Sequence, residues 1–390
     1  MSPDQHFAAA AEGSSHRRLP ASPAVAIVGA TGAVGVELIA CLEDRGFPLS
    51  RLRLLASPRS AGRTVLFRDQ TLAVEPLDEG SFAGIDLALF SAGSGISRHF
   101  APIAAAAGAV VVDNSSAFRM DAGVPLVVPE VNAGASEGHR GIIANPNCVA
   151  IIAAVPLWPL HRLSPVRRVM ASTYQAASGA GAAAMEELRA STAAYLEGRH
   201  YANTVLAHPY AFNLFSHDTA VDPATGSNGE EAKVMQELRK ILGEPDLRIG
   251  ITCVRVPVLR AHSIAMTVEF ERPVGLDEAR AALAAAPGVR LVDDVAGNRF
   301  PMPREASGQG DVLVGRIRHD ASDPSGRSLM LFVAGDQLLK GAALNAVQIA
   351  ERLLPQPAAA AGQEIGGRRP SQGRACSSWP ARRSRVASSP

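Results

Sequence analysis

The stretch from Ala24 to Leu42 constrains the fold of this chain more than any other. Ala24-Val-Ala-Ile-Val28 is an apolar run of strand length, Gly29-Ala-Thr-Gly-Ala-Val-Gly35 follows directly, and Val34, Leu38, Ile39 and Leu42 recur at helical spacing. A strand, glycine turn and helix of this kind can carry a nucleotide. Residues without side chains let the backbone approach a pyrophosphate, whose charge then meets the N–H groups at the helix start. The spacing is GxxGxxG rather than GxGxxG, and an ordinary tight βα turn uses the same glycines. Gly29, Thr31, Gly32, Ala33, Val34 and Gly35 are candidate cofactor contacts.

The alternation continues downstream. Residues 52–56 read as a strand, 86–91 as another, 97–107 as a helix and 109–113 as a third strand. That order implies a mainly parallel, doubly wound sheet, in which ligands bind beyond the carboxyl ends of the strands. Ser91-Ala-Gly93 lies at one such end. Ser57-Pro-Arg59-Ser60 lies at another, where an NAD-binding unit often places an acidic residue for the ribose hydroxyls. Hydroxyls and a guanidinium there suit a ribose 2′-phosphate instead, which favours NADP.

A second feature carries chemistry. In Gly141-Ile-Ile-Ala-Asn-Pro-Asn-Cys-Val-Ala, turn residues separate a short apolar strand from a long apolar run, so Cys148 opens a helix. The positive end of a helix favours a thiolate, and its N–H groups can stabilise an oxyanion. Buried cysteines without function are common, so the surrounding chain has to decide between the two readings. The four cysteines, Cys41, Cys148, Cys253 and Cys376, lack CxxC or Cys/His metal spacing. This argues against a disulfide framework or a metal site and for the cytoplasm. With 38 basic and 37 acidic residues, no global charge draws the chain to nucleic acid or an anionic membrane. Its apolar segments are shorter than the roughly 20 residues of a membrane span.

Beyond Cys148 the candidate residues are spread widely. Residues 166–174 form a strand candidate that runs into Gln175-Ala-Ala-Ser178-Gly179, and 185–196 read as a helix. Residues 230–241 form an amphipathic helix on which Glu230 and Lys233 share a face. Such a face is often just solvated, but it could also hold a zwitterion. Strands are expected at 247–256 and 262–270, so that Arg255 closes one and His262 opens the next. A histidine near a candidate thiol is the usual base at neutral pH. A helix at 276–286, strands at 311–319 and 328–334 and a helix at 337–354 complete the ordered chain. Residues 1–23 and 356–390 lack sustained periodicity and read as a disordered leader and tail.

Taken together these motifs resemble the aspartate-β-semialdehyde dehydrogenase family. The resemblance runs from about Val25 to Leu354, through the glycine turn, Asp113-Asn-Ser-Ser-Ala-Phe-Arg119, Val127-Val-Pro-Glu-Val-Asn132 and Asn145-Pro-Asn-Cys148. It continues through Gln175 with Ser178-Gly179, Glu230-Glu-Ala-Lys233, Cys253-Val-Arg255-Val-Pro, His262-Ser263 and Lys340-Gly-Ala-Ala343.

The resemblance implies a Rossmann-type dinucleotide-binding domain at 24–147, completed by a C-terminal helix at 336–355. It implies an α+β catalytic and dimerisation domain at 148–335, in a homodimer or homotetramer. The implied reaction is the NADP- and phosphate-dependent interconversion of L-aspartate 4-semialdehyde and 4-phospho-L-aspartate through a Cys thioester, in lysine, threonine and methionine biosynthesis. Carried onto this chain, Cys148 is the nucleophile, His262 the acid/base and Gln175 the residue that orients substrate. Arg255 pairs with the α-carboxylate and Glu230 with the amine, Asn147 contributes to substrate binding, and Arg119 and Lys233 hold phosphate. Ser57, Arg59, Ser60, Ser91, Gly93, Ser178, Gly179 and Gln337 join the glycine turn around the cofactor, and no metal is expected.

Two positions depart from the family pattern. Val149 follows the cysteine where Ser or Thr is frequent, and Gln337 stands where Asn is common. An N-acetyl-glutamyl-phosphate reductase would share the fold and the Cys/His chemistry, but its substrate has no cationic amine for Glu230. A non-catalytic paralogue should have lost part of a set that is present in full.

Overall fold

The computed structural model describes residues 18–355 and 386–387. Two compact units divide them: one runs to Pro146 and resumes at Ala343, and the other is Asn147–Ala342.

In the first unit the strands are β1 (Ala24–Val28), β2 (Arg51–Ala56), β3 (Thr64–Phe67), β4 (Gln70–Pro76), β5 (Leu87–Phe90), β6 (Val110–Asp113) and β7 (Ile142–Ala144). They lie side by side as β3-β4-β2-β1-β5-β6-β7, with Val386–Ala387 paired outside β3. β4, β2, β1, β5, β6 and β7 pair in parallel, and β3 pairs antiparallel with β4 and with Val386–Ala387. Counted among the parallel strands, the order is third, second, first, fourth, fifth, sixth, the doubly wound dinucleotide arrangement. Every residue of β1 is buried, as the unbroken apolar run requires of a strand covered on both faces. The hairpin β3–β4 has no strong sequence signal, because its turn is made by Arg68 and Asp69 at φ 46° and 63° rather than by Gly or Asn.

The strand order reverses between β1 and β5. After β1 comes the glycine turn and helix α1 (Ala33–Asp44), and after β5 come Ser91 and helix α2 (Ser94–Ala106). Gly29 and Gly35 are needed for closeness. A Cβ on Gly35 would stand 2.2 Å from the Gly29 carbonyl oxygen, and one on Gly29, whose φ is +87°, 2.5 Å from that of Ser91.

The helix Leu344–Leu353 belongs to this unit. Asn345 Nδ2 donates to Val127 O at 2.9 Å and Asn145 Oδ1 at 2.7 Å, and Arg45 makes a two-bond fork to Glu351. Leu19, expected in the leader, is buried, and its N–H donates to Leu353 O at 2.9 Å. Order therefore begins before residue 24. The remainder of the leader, to residue 17, and the tail apart from Val386–Ala387 lie outside the described residues.

A mixed sheet forms the second unit. Its strands are β8 (Val166–Gln175), β9 (Phe215–Ser216), β10 (Arg248–Arg255), β11 (His262–Phe270), β12 (Val289–Leu291), β13 (Val312–His319) and β14 (Ser328–Gly335), in the order β12-β13-β14-β11-β8-β10-β9. Helices α3 (Cys148–Leu163), α4 (Ala182–Leu196), α5 (Gly229–Leu242) and α6 (Leu276–Ala285) accompany it, and α3, α5 and α6 pack on the strands. Along β8 the side chains of Val169 and Thr173 are buried while Met170 and Tyr174 are exposed, so one face of the sheet is left uncovered. That face forms a trough of about 450 Å³ that includes Met170, Met330 and Phe332.

Residues 336–342, which sequence assigns to the first domain, lie in the second unit. The buried Asp336 carboxylate accepts from Arg260 Nε at 2.6 Å, Gly308 N at 2.6 Å and Leu338 N at 3.0 Å, which fastens the segment there. The single helix expected from Gln337 is instead a π turn, Leu339–Ala343, followed by the α-helix Leu344–Leu353. No helix among the described residues is long and apolar enough to cross a membrane, and they contain no cluster of three or more potential metal ligands.

Candidate active site

Cys148 is the first residue of α3, and Asn147 is its cap. The Asn147 side chain accepts from Val149 N at 2.8 Å and Ala150 N at 3.4 Å, and its Nδ2 donates to Glu230 Oε1 at 2.9 Å. Its backbone N–H donates to Glu237 Oε2 at 2.5 Å. The residue before the thiol is thus fixed through both its side chain and its main chain. No acidic residue occupies the first turn of α3, so the helix dipole acts on Cys148 without opposition from its own helix. Gly341 lies against the thiol, since a Cβ there would come within 2.9 Å of Cys148 Cβ. Val149, the departure from the family pattern, is buried in the core. Cys253 provides a contrast: it is fully buried, and burial pushes its thiol up to about 12.

Three strands deliver the other candidates to one end of the sheet. Gln175 closes β8 and Arg255 closes the parallel neighbour β10, directly opposite each other in register. His262 opens β11, which runs antiparallel to β8, and this register places Ser263 opposite Tyr174. Gln175 Nε2 donates to Glu230 Oε1 at 3.2 Å, so that carboxylate oxygen receives two side-chain amides, those of Asn147 and Gln175. Burial would raise the Glu230 carboxyl, but His217, Asn147, Lys233 and Gln175 together hold it below the usual carboxylate range. It stays ionised. Lys233 lies one turn further along α5 and is half-buried.

Arg255 is held from one side. The chain after β9 brings Asp218 alongside β10, and Asp218 Oδ1 accepts from Arg255 Nε at 3.3 Å and from one terminal nitrogen at 3.2 Å. The other terminal nitrogen, NH1, is buried without a hydrogen-bond partner. His262 is wholly buried. Its Nδ1 accepts from the Ala176 backbone N–H at 3.0 Å, while its Nε2 has no partner. Burial, then the charges of Arg255 and His217, push the imidazole well below its ordinary pKa. Both unpartnered nitrogens face Gly179. A Cβ at that residue would lie 3.0 Å from His262 Nε2 and 3.1 Å from Arg255 NH1, so a side chain there would press on both.

The expected cofactor residues divide between the units. In the first, the helix caps Gly32 and Gly93 carry no side-chain cap, so the first N–H groups of α1 and α2 are not taken by a capping side chain. Ser60, in the single turn Pro58–Ser60 beyond β2, accepts from Thr31 Oγ1 at 3.3 Å, which joins that turn to the glycine turn. Ser57 and Arg59 are exposed beside it, and Ser91 is half-buried against Gly29. This set fits an anionic dinucleotide. In the second unit, Ser178 and Gln337 are buried, and their side chains bond to each other. Gln337 Oε1 also accepts from Ala261 N at 3.0 Å, which holds Ala261 at φ 72° just before His262. Arg119, in the first unit, is buried with Nε on Asn145 O at 3.0 Å and NH2 on Asn114 O at 2.8 Å.

Three contributors are not among the candidates read from sequence. Glu237 had a signal: it stands seven residues after Glu230, an acid on the same helix stripe as Val234, Leu238 and Ile241. Asp218 had none, because it lies in an irregular segment. The Ala176 N–H had none either, because a backbone donor belongs to every residue.

Comparison with known proteins agrees with this geometry. Residues 24–139 match the family model described as semialdehyde dehydrogenase, NAD binding domain, and residues 157–340 match semialdehyde dehydrogenase, dimerisation domain. The aspartate-semialdehyde dehydrogenase of Synechocystis is 54% identical over 338 residues, covering 86% of this chain and 98% of the relative. That of Bacillus subtilis is 44% identical over 338 residues, covering 84% and 96%. The crystal structure of aspartate semialdehyde dehydrogenase II complexed with ASA from Vibrio cholerae superposes with a TM-score of 0.82 at 41% identity, covering 85% of this chain and 98% of that one.

Proposed function

The chain belongs to the aspartate-semialdehyde dehydrogenase family, and from that premise we propose that it interconverts L-aspartate 4-semialdehyde and 4-phospho-L-aspartate using NADP and inorganic phosphate. One observation carries the choice of substrate. Glu230 is buried and ionised, while Arg255 keeps a buried donor unpartnered in the same unit. The pair complements the ammonium and carboxylate of a free amino acid. An N-acetylated substrate has no ammonium to offer the Glu230 carboxylate.

The roles follow from chemistry. Cys148 attacks the C4 carbonyl carbon and carries the acyl group as a thioester, which is electrophilic enough for phosphate to cleave in the oxidative direction. Gln175 and Asn147 hold Glu230 toward the substrate amine, Arg255 holds the carboxylate, and His262 serves the reacting carbonyl. Lys233 and Arg119 neutralise phosphate. The glycine turn, Ser91 and Gly93 hold the dinucleotide, and Ser57, Arg59 and Ser60 receive its ribose 2′-phosphate. Gly179 and the Ser178–Gln337 pair shape the nicotinamide side. When bound, the dinucleotide supplies the hydride acceptor or donor.

The cell uses the semialdehyde for lysine, threonine and methionine synthesis, in the cytoplasm. The uncovered sheet face around Met170, Tyr174 and Phe332 supports a homodimer, or a homotetramer built from it.

The test is direct. Purified protein given NADP, phosphate and aspartate semialdehyde should form NADPH, with little turnover of the N-acetyl-glutamyl semialdehyde analogue. NADP should exceed NAD in kcat/KM by about tenfold or more, the factor that a single phosphate contact near 1.4 kcal/mol supplies. Comparable rates with the N-acetylated compound would overturn the substrate assignment, and equal efficiency with NAD would overturn the role of the Ser57–Ser60 turn.

A further inference from the structure

Resting on the reaction proposed above, we infer that Asp218 is a positioning residue for recognition of the substrate α-carboxylate: it fixes Arg255 so that the edge carrying NH1 is the one offered to the ligand. The contact itself selects the edge. Asp218 Oδ1 accepts from Arg255 Nε at 3.3 Å and from NH2 at 3.2 Å. These two nitrogens form one side of the planar guanidinium, so an oxygen shared between them sets both the place of the group and its plane. A second carboxylate is then met from the side of NH1, which is buried and has no partner.

Asp218 is in turn held by its neighbours. His217 N donates to Cys253 O at 2.9 Å, which ties the segment to β10 two residues before Arg255. Thr219 Oγ1 accepts from Glu230 N at 3.0 Å, which ties it to the first turn of α5. The acceptor therefore sits on a strap fastened on both sides of it, and one strap of three residues touches the side chain of the carboxylate anchor and the main chain of the amine anchor.

Charge and entropy favour the same arrangement. Burial would raise the Asp218 carboxyl, but the Arg255 guanidinium and then His217 hold it below its ordinary value, so it is ionised. Its side chain is 25% exposed and that of Arg255 5%. The anion thus balances the buried cation from the solvent side while keeping part of its own hydration, which lowers the cost of burying the arginine. An arginine without such a partner has several rotatable bonds to immobilise when the substrate binds; here that ordering is already done.

The test compares wild type, Asp218→Ala and Asp218→Asn in the full chain, on aspartate semialdehyde and on 3-aminopropanal, the aldehyde that lacks only the carboxylate. With aspartate semialdehyde, Asp218→Ala should raise KM by about 30-fold through the misplaced guanidinium. Its kcat should stay within about threefold, because the carboxylate is bound alike in the ground and transition states. Asp218→Asn keeps an acceptor oxygen without the charge and should restore KM to within about threefold of wild type. The KM values for NADP and phosphate should not move. The ratio of kcat/KM for the two aldehydes, taken within one protein, does not depend on how much of that protein is folded. It should fall by about 30-fold in Asp218→Ala alone. An unchanged ratio, or a KM that drops in both variants, would show that Asp218 is structural or merely repels the substrate, and overturns the inference with the reaction intact. A wild-type protein that turns over no aspartate semialdehyde overturns the reaction and this role with it.

Discussion

The glycine turn of the first unit and the strand-end cluster of the second both depend on missing side chains, but for opposite reasons. At Gly29 and Gly35 the vacated space is filled by the protein's own backbone, with carbonyl oxygens 2.5 and 2.2 Å from where a Cβ would stand. At Gly179 the neighbours of such a Cβ are the ends of two functional side chains, His262 Cε1 and Nε2 at 2.9 and 3.0 Å and Arg255 NH1 at 3.1 Å. The first arrangement is packing that a ligand rests on. The second is room that the two functional side chains themselves need. A substitution in one should disturb the fold, and in the other the chemistry.

That contrast can be broken in order of effect. The largest change is expected from Cys148→Ala, which removes the covalent step; turnover should fall by roughly 10⁴-fold or more with the thermal midpoint unchanged. A variant that still turns over would remove the nucleophile from the second region altogether. Gly179→Ala comes next. Its φ is ordinary for an L-residue, so the added methyl should press first on His262 and Arg255, lowering kcat/KM by about 10²-fold while the denaturation midpoint stays put. Loss of stability instead would show that Gly179 is packing, like Gly35.

Gly35→Ala should do the reverse, costing about 1–3 kcal/mol of stability through overpacking and weakening dinucleotide binding, as read by urea titration and by the KM for NADP. The smallest effect concerns pH. The folded Glu230 carboxyl lies below its unfolded value, so the stability it contributes is present above the ordinary carboxylate range and is lost as pH falls through the lower folded value. Glu230→Gln should therefore flatten the acid side of the stability curve and leave the first unit's contribution untouched. An unchanged curve would mean that the buried charge is not coupled to folding.

Much of the first region was legible because its signals are local. The run Ala24–Val28, the glycines and the helical spacing after them lie within one strand–turn–helix, and the observed β1 and α1 follow them closely. The strand His262–Phe270 also falls where alternation places it. The hairpin at Arg68 and Asp69 escaped, since Arg does not advertise a left-handed turn and no Asn-Gly or Asp-Gly pair marks it. The π turn Leu339–Ala343 escaped because its apolar pattern also suits an α-helix. In the second region the residue types could be named, but not what holds them. Asp218 on Arg255, Glu237 on the Asn147 N–H and Gln337 on Ser178 each join positions far apart in the chain.

Legible in the amino-acid sequence were most of the strands and helices, the glycine turn that opens the chain's first βα unit, and the helix that begins at Cys148. These follow from periodicity, turn chemistry and capping, which act over a few residues. Only the tertiary structure decided that β8, β10 and β11 end together, so that Gln175, Arg255 and His262 share one edge. It alone gave His262 Nδ1 its partner, because the Ala176 N–H becomes specific only when strand pairing sets it against that nitrogen. A backbone amide carries no identity in a sequence; its partner is chosen by register, and register is settled by burying the sheet.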